Sequence, residues 1–144
     1  MRDELEIVEL EATPSLRIRF RTSNDRVQAA IDDAFLELLS HLATTGVEPC
    51  GPPYVACLSY DQEGSEIECG LPVAMVLEVT GRLEMGESPS GKAARAMHRG
   101  PRSRLMECYA TMMRSLAETG EKRAGPTVER RLEENLTEVL WMLL

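Results

Sequence analysis

Residues 31–52 are written a second time at 105–126. Shifted by 74 positions, Ile31, Ala34, Phe35, Leu38, Leu39 and Leu42 fall on Leu105, Cys108, Tyr109, Met112, Met113 and Leu116. Both sets carry the i, i+3, i+4, i+7, i+8, i+11 spacing of one apolar helical face. The ends agree too: Leu42-Ala43-Thr44-Thr45-Gly46 recurs as Leu116-Ala117-Glu118-Thr119-Gly120, and Gly51-Pro52 as Gly125-Pro126. Gly46 and Gly120 stand where a helix needs a residue that tolerates positive φ in order to stop. Two copies of one supersecondary unit are expected, closing by mutual burial, because either copy alone has one helix and too little apolar surface. Such copies tend to enclose a shared site.

The remaining periodicities fill in the units. Glu4–Leu10 and Leu16–Arg21 alternate like half-buried strands around Thr13-Pro14-Ser15. Ser23-Asn24-Asp25 offers capping chemistry to a helix from about Arg26 to Thr44. Tyr54–Tyr60 and Glu66–Val73 read as a hairpin across the polar turn at 61–65. In the second half Leu83–Met85 and Ala93–His98 read as strands, Ser103–Glu118 as a helix, and Thr127–Leu132 and Thr137–Leu143 as the closing strands. The first of these last two is polar and acidic. Helices followed by hairpins, twice over, predict an α+β fold with an antiparallel sheet and two long helices packed on it. The chain reads as a single domain, 1–144, with repeat one at about 4–75, repeat two at about 76–144, and Val76–Arg82 as the joint.

Charge and composition narrow the function classes. A net charge of −8 argues against binding nucleic acid through its phosphates and leaves room for a cationic ligand, although solubility alone explains most acidic chains. The start of the chain lacks the apolar core of a signal peptide, and no run approaches a membrane span, so a cytoplasmic location is expected. Cys50, Cys57, Cys69 and Cys108 show no CxxC spacing, and only His41 and His98 could join them. No metal site and no cofactor are expected.

Few constellations suggest chemistry. Gly86-Glu87-Ser88-Pro89-Ser90-Gly91-Lys92 approaches a phosphate-binding loop but is followed by Ala93, where magnesium needs Ser or Thr. Glu68 and Glu138 stand at equivalent points in the last strand of each half. Glu138 opens the most apolar stretch of the chain. There it either faces solvent or faces inward, where burial penalises its charge and a cationic ligand relieves that penalty. Tyr54, Tyr60, Tyr109 and Trp141 could present faces to such a ligand, but aromatics make up 4% of the chain, too few for a rich cage. Eight methionines could supply an adaptable apolar wall.

Four stretches together resemble a known family. These are Ser88 to Pro101 (with Gly91-Lys92 and His98-Arg99-Gly100-Pro101), Gly46 to Tyr54 (with Gly51-Pro52-Pro53-Tyr54), Glu68 to Val73, and Leu136 to Leu140 (with Thr137-Glu138). In this order they are similar to the GyrI-like small-molecule-binding domain, also called the bacterial transcription activator effector-binding domain (AraC effector-binding type). The resemblance implies two strand-helix-strand-strand units in pseudo-twofold arrangement with a ligand cleft between them. It implies a small organic, cationic ligand of multidrug type, Glu138 as the acidic centre of the pocket, and Tyr54 at the family's aromatic position. Tyr109, Trp141 and Phe35 are pocket candidates by placement. The chain departs from the family where the closing strand reads Val139-Leu140-Trp141-Met142 without a proline, where Arg21-Thr22-Ser23-Asn24-Asp25 enters the first helix, and where 127–134 lacks apolar alternation. The leading expectation is a stand-alone binding protein with no direct nucleic-acid or membrane partner. The alternatives are a hydrolase of strained electrophilic small molecules, with Glu138 as general base, and a protein-binding modulator of the gyrase type.

Overall fold

The computed structural model describes residues 5–144; Glu4, which opens the predicted first strand, lies outside them. In chain order the elements are β1 (Glu6–Leu10), β2 (Pro14–Thr22), α1 (Val27–Thr45), β3 (Tyr54–Tyr60), β4 (Ser65–Pro72), β5 (Leu83–Glu87), β6 (Gly91–Arg99), α2 (Leu105–Thr119), β7 (Arg123–Glu133) and β8 (Leu136–Leu143). The strands form one antiparallel sheet in the order β1-β6-β8-β7-β3-β4-β2-β5. Two strand-helix-strand-strand units, β2-α1-β3-β4 and β6-α2-β7-β8, therefore lie side by side in an α+β architecture. β1 precedes the first unit in sequence but pairs with β6 of the second, while β5 pairs with β2 of the first. Each unit is thus edged by a strand from the other half of the chain.

The seam between the units is the β3–β7 ladder, with Tyr54 opposite Arg130, Val55 opposite Glu129, Ala56 opposite Val128 and Cys57 opposite Thr127. Val55 and Glu129 are themselves 74 residues apart, the shift that relates the two helices. The same shift exchanges the Tyr54–Arg130 pair with the Ala56–Val128 pair. The pseudo-twofold axis consequently passes through the Val55–Glu129 pair, and both helices lie on one face of the sheet.

Side chains alternate between the two faces of a strand, and here the faces differ in kind. On the helix face, Leu16, Ile18, Ile67, Cys69 and Leu71 pack under Ala34, Leu38 and Leu42 of α1. Ala94, Ala96, Val139, Trp141 and Leu143 pack under Leu105, Cys108, Met112 and Leu116 of α2. Burial of Cys69 pushes its thiol pKa up to about 12, so it behaves as a small apolar core residue. On the opposite face, Tyr54, Ala56, Ala93, Val128, Leu140 and Met142 form a smaller core.

Local sequence accounts for the ends of the elements. Both helices stop at a left-handed glycine, Gly46 at φ 74° and Gly120 at φ 77°, and the Gly46 amide donates to the Leu42 carbonyl. Ser23 makes no side-chain cap; a single 3-10 turn at Asn24–Arg26 starts α1 instead. Asn24 uses its amide to bond the Asp61 carbonyl of the hairpin turn. Gly70 lies opposite Tyr54, and a Cβ there would stand 2.3 Å from the phenol ring.

Gly70→Ala is expected to lower stability by about 2 kcal/mol, because the ring of a fully buried tyrosine has nowhere to go. Gly46→Ala meets nothing within 4 Å and costs only the left-handed backbone, about 1 kcal/mol. Urea unfolding of the two variants checks the order; equal losses would mean that Tyr54 yields to the added methyl.

Candidate functional site

The apolar stripe of α1 is wider than its contact with the sheet. Ala34, Leu38 and Leu42 point down into the core, whereas Ile31 and Phe35 are only half-buried and Leu39 is exposed. Together with Val27 these three side chains form one wall of a cavity of about 540 Å³ on the helix face. Val55, Cys57, Ile67 and Leu71 supply the apolar part of its floor. The volume lies within the range of drug-sized ligand pockets.

The rest of the floor is polar, and it comes from β7. Thr127, Glu129 and Arg131 all line the cavity, while Val128 between them is buried on the other face. The stretch that breaks the expected apolar alternation therefore keeps a continuous register from Thr127 to Arg131, with irregularities only on either side of it. Its polar row faces a cavity where a core strand would show aliphatic side chains.

Glu129 sits on the pseudo-twofold axis and has a partner for each carboxylate oxygen. The Tyr109 hydroxyl donates to Oε2 at 2.6 Å. Nη1 of Arg102, a cavity-lining residue just before α2, lies 3.0 Å from Oε1. Arg102 owes its position to the Gly100-Pro101 turn. Gly100 adopts φ 135°, its amide donates to the Asn135 carbonyl at 2.8 Å, and the Pro101 carbonyl accepts from His98 Nε2 at 3.0 Å.

Tyr109 also stacks on Trp141, with ring centroids 5.9 Å apart and planes inclined by 26°. The Arg123 guanidinium covers the indole at 4.4 Å from its centroid. The indole N–H of Trp141 is buried and has no hydrogen-bond acceptor among the described residues. Burial, and then the charge and hydrogen bond of Glu129, push the Tyr109 phenol far above its usual pKa. Burial and the nearby Glu129 charge also raise the Cys57 thiol, so the cavity presents a thiol and not a thiolate.

Of the sequence candidates, Phe35 lines the cavity, Tyr109 holds its carboxylate, and Trp141 backs Tyr109. Glu138 and Tyr54 lie on the opposite face of the sheet. Glu138 is 3% exposed and is paired with Arg130 Nε, with Arg95 Nη1 at 3.5 Å from its other oxygen. Its equivalent Glu68 accepts from Tyr54 Oη and from Arg19 Nε, each at 2.7 Å. Tyr54 borders a separate cavity of about 150 Å³. Glu129, Arg102, Asp32 and Arg131 are the charged groups of the large cavity that sequence reasoning passed over. The polar row in 127–131 is a sequence signal for Glu129 and Arg131 alone.

Other motifs have structural uses. Lys92 donates to both carboxylate oxygens of Glu121 and opens a strand, not the helix a phosphate loop requires. Among the described residues no three His, Cys, Asp or Glu side chains come together so as to hold a metal ion. No described helix is long and apolar enough to cross a membrane.

The model of the GyrI-like small molecule binding domain matches residues 3–141. Among curated proteins none matches the sequence. Among solved structures, the chain is similar to the EcmrR C-terminal domain at 13% identity and TM-score 0.77, covering 100% of this chain and 99% of that one. It is similar to EcmrR in its DNA complex at TM-score 0.80 and 13% identity, covering 98% of this chain but spanning only 57% of that one. It is also similar to SAV2435 bound to tetraphenylphosphonium, at TM-score 0.65 and 10% identity, covering 100% of this chain and 94% of that one. At such identities the likeness is one of fold.

Tyr54 and Tyr109 each donate to a carboxylate, and both phenol pKa values are raised in the fold, burial being the largest cause. A folded value above the unfolded one stabilises the protein below about pH 10, and that contribution is lost as pH rises further. In a spectrophotometric titration these two phenols are expected to stay protonated at about pH 11 until the protein unfolds. Tyr109→Phe should remove one of the late-ionising groups. Early ionisation of Tyr109 in the folded protein would contradict the Glu129 contact.

Proposed function

The chain belongs to the GyrI-like small-molecule-binding domain family, and on that premise we propose that it is a receptor for a small amphipathic organic molecule. The ligand lies in the cavity of about 540 Å³ over the β3–β7 seam, its apolar body against Ile31, Phe35, Leu39 and Val55. Its polar end meets the Glu129–Arg102 pair, which offers acceptor and donor atoms at one spot. The observation that carries this reading is the cavity itself, apolar on the helix side and charged along one strand of the floor. Such a combination binds by burying apolar area while a few placed polar groups fix orientation. The tetraphenylphosphonium-bound relative supports a ligand of comparable bulk.

The anchoring role goes to Glu129. Glu138, on the other face of the sheet and already ion-paired, has a structural part as the counter-ion of Arg130 and Arg95. The occupied state of Glu129 also favours binding over hydrolysis. A general base needs an oxygen free to meet the proton it takes, and here one carboxylate oxygen already accepts from a phenol while the other faces a guanidinium. One similar structure is that of a hydrolase from Listeria innocua, at 15% identity and TM-score 0.70, covering 98% of this chain and 92% of that one. Turnover of a bound compound that vanishes in Glu129→Gln would favour the enzymatic reading.

Trp141 stacks on the tyrosine that holds Glu129, so ligand entry is expected to change its fluorescence. Titration with aromatic amphiphiles should saturate. Phe35→Ala should weaken binding roughly tenfold, about 1.4 kcal/mol of lost apolar contact. Glu138→Gln, if it remains folded, should bind within about twofold of the parent. A large loss in Glu138→Gln with Phe35→Ala unaffected would move the site to the other face of the sheet.

A further inference from the structure

A lone carboxylate at the floor of an apolar cavity attracts a lipophilic cation, because the ligand's charge offsets the cost of burying its own. Glu129 is not alone. Its Oε1 faces the Arg102 guanidinium at 3.0 Å, and its Oε2 accepts from Tyr109 at 2.6 Å. Of the two other charged residues of the cavity, Asp32 lies exposed on α1, bonded by Gln28, and Arg131 makes no ion pair among the described residues. Two acids and two arginines line the cavity, so its formal charge is zero, and its charged hydrogen-bond donors are Arg102 and Arg131.

We infer that Arg102 sets the charge specificity of this site. Resting on the reading of the cavity as a ligand site, it makes an uncharged or anionic amphiphile preferred over a monocation of the same shape. Arg102 occupies the place against Glu129 that a ligand cation would take. A monocation entering the cavity must either push the guanidinium aside or sit beside it, and both lose attraction. An uncharged ligand leaves the pair intact, and an anionic one gains the free N–H groups of Arg102 and Arg131. The hold on Arg102 is geometric as well as electrostatic, since the left-handed Gly100 and the His98–Pro101 contact set the turn from which it reaches in. Asn24 leads the corresponding turn before α1, so the arginine belongs to one unit only.

The test uses two ions of one shape and opposite charge, tetraphenylphosphonium and tetraphenylborate, with uncharged triphenylphosphine oxide as a neutral probe, in calorimetric titrations. The parent protein is expected to bind tetraphenylborate more tightly than tetraphenylphosphonium. Arg102→Gln should tighten tetraphenylphosphonium by about tenfold or more and weaken tetraphenylborate. Arg102→Lys should keep the parent preference, and Arg102→Gln combined with Glu129→Gln should lose the gain for the cation. Tetraphenylphosphonium binding that is equal in the parent and in Arg102→Gln would overturn the inference. The neutral probe separates this failure from failure of the site itself. If triphenylphosphine oxide binds and Phe35→Ala weakens it, the cavity stands and only the role of Arg102 falls. If no probe binds to any variant, the cavity reading and the inference both fall.

Discussion

The pairing of β3 with β7 is the contact on which the other features depend. Its register places Val55 opposite Glu129, two positions related by the same shift as the two helices, so the backbone meets its own equivalent at the axis. With that register in place, α1 and α2 fall on one side of the sheet, and the space over the seam becomes the site. A slip of one residue would turn every side chain of β7 to the other face. Glu129 would enter the small core around Leu140, and Val128 would enter the cavity.

The axis also explains why the Val55–Glu129 pair carries one acid and not two. Two carboxylates directly opposite each other on an antiparallel pair would repel and destabilise the ladder. A chain built from two like units must therefore differ at this position if it is to hold a charge there, and it does, with valine in one unit and glutamate in the other. The aromatic side chains are equally lopsided. Tyr109 and Trp141 stack over the second unit and fill its half of the cleft, whereas Phe35 and Leu71 at the corresponding places of the first unit line an open cavity. A nearly twofold backbone thus encloses a site with a distinct apolar end and a distinct charged end.

The opposite face of the sheet solves a different problem. Glu68 and Glu138 occupy equivalent positions and both are buried, a costly state for a carboxylate unless it is paired. Each is met by two arginines: Arg19 and Arg17 for Glu68, Arg130 and Arg95 for Glu138. Arg17 and Arg95 are themselves equivalent, standing two residues before the partners of the glutamates on β2 and β6. This arrangement explains the conspicuous Leu16-Arg17-Ile18-Arg19-Phe20-Arg21 alternation as one core row and one counter-ion row. It satisfies buried charge in both units alike, as structural ion pairs do.

Periodicity and punctuation in the sequence were enough to determine the secondary structure, the α+β class and the likeness of the two units, because these follow from local rules: 3.6-residue and two-residue spacing, and glycine where φ must be positive. They left Phe35, Tyr109 and Trp141 open between core and pocket, since apolar or aromatic character suits either. The face to which each strand turns its polar residues was decided only by the tertiary structure. Glu138 and Glu129 are both acidic residues on the closing hairpin, and nothing within the hairpin says which one looks toward the helices. That depends on the register of β7 against β3, a partner some seventy residues away in the chain, and on a turn that brings Arg102 over the seam. Neither leaves a local trace, because cross-strand register and long-range ion pairs join residues whose neighbours in sequence are silent about the meeting.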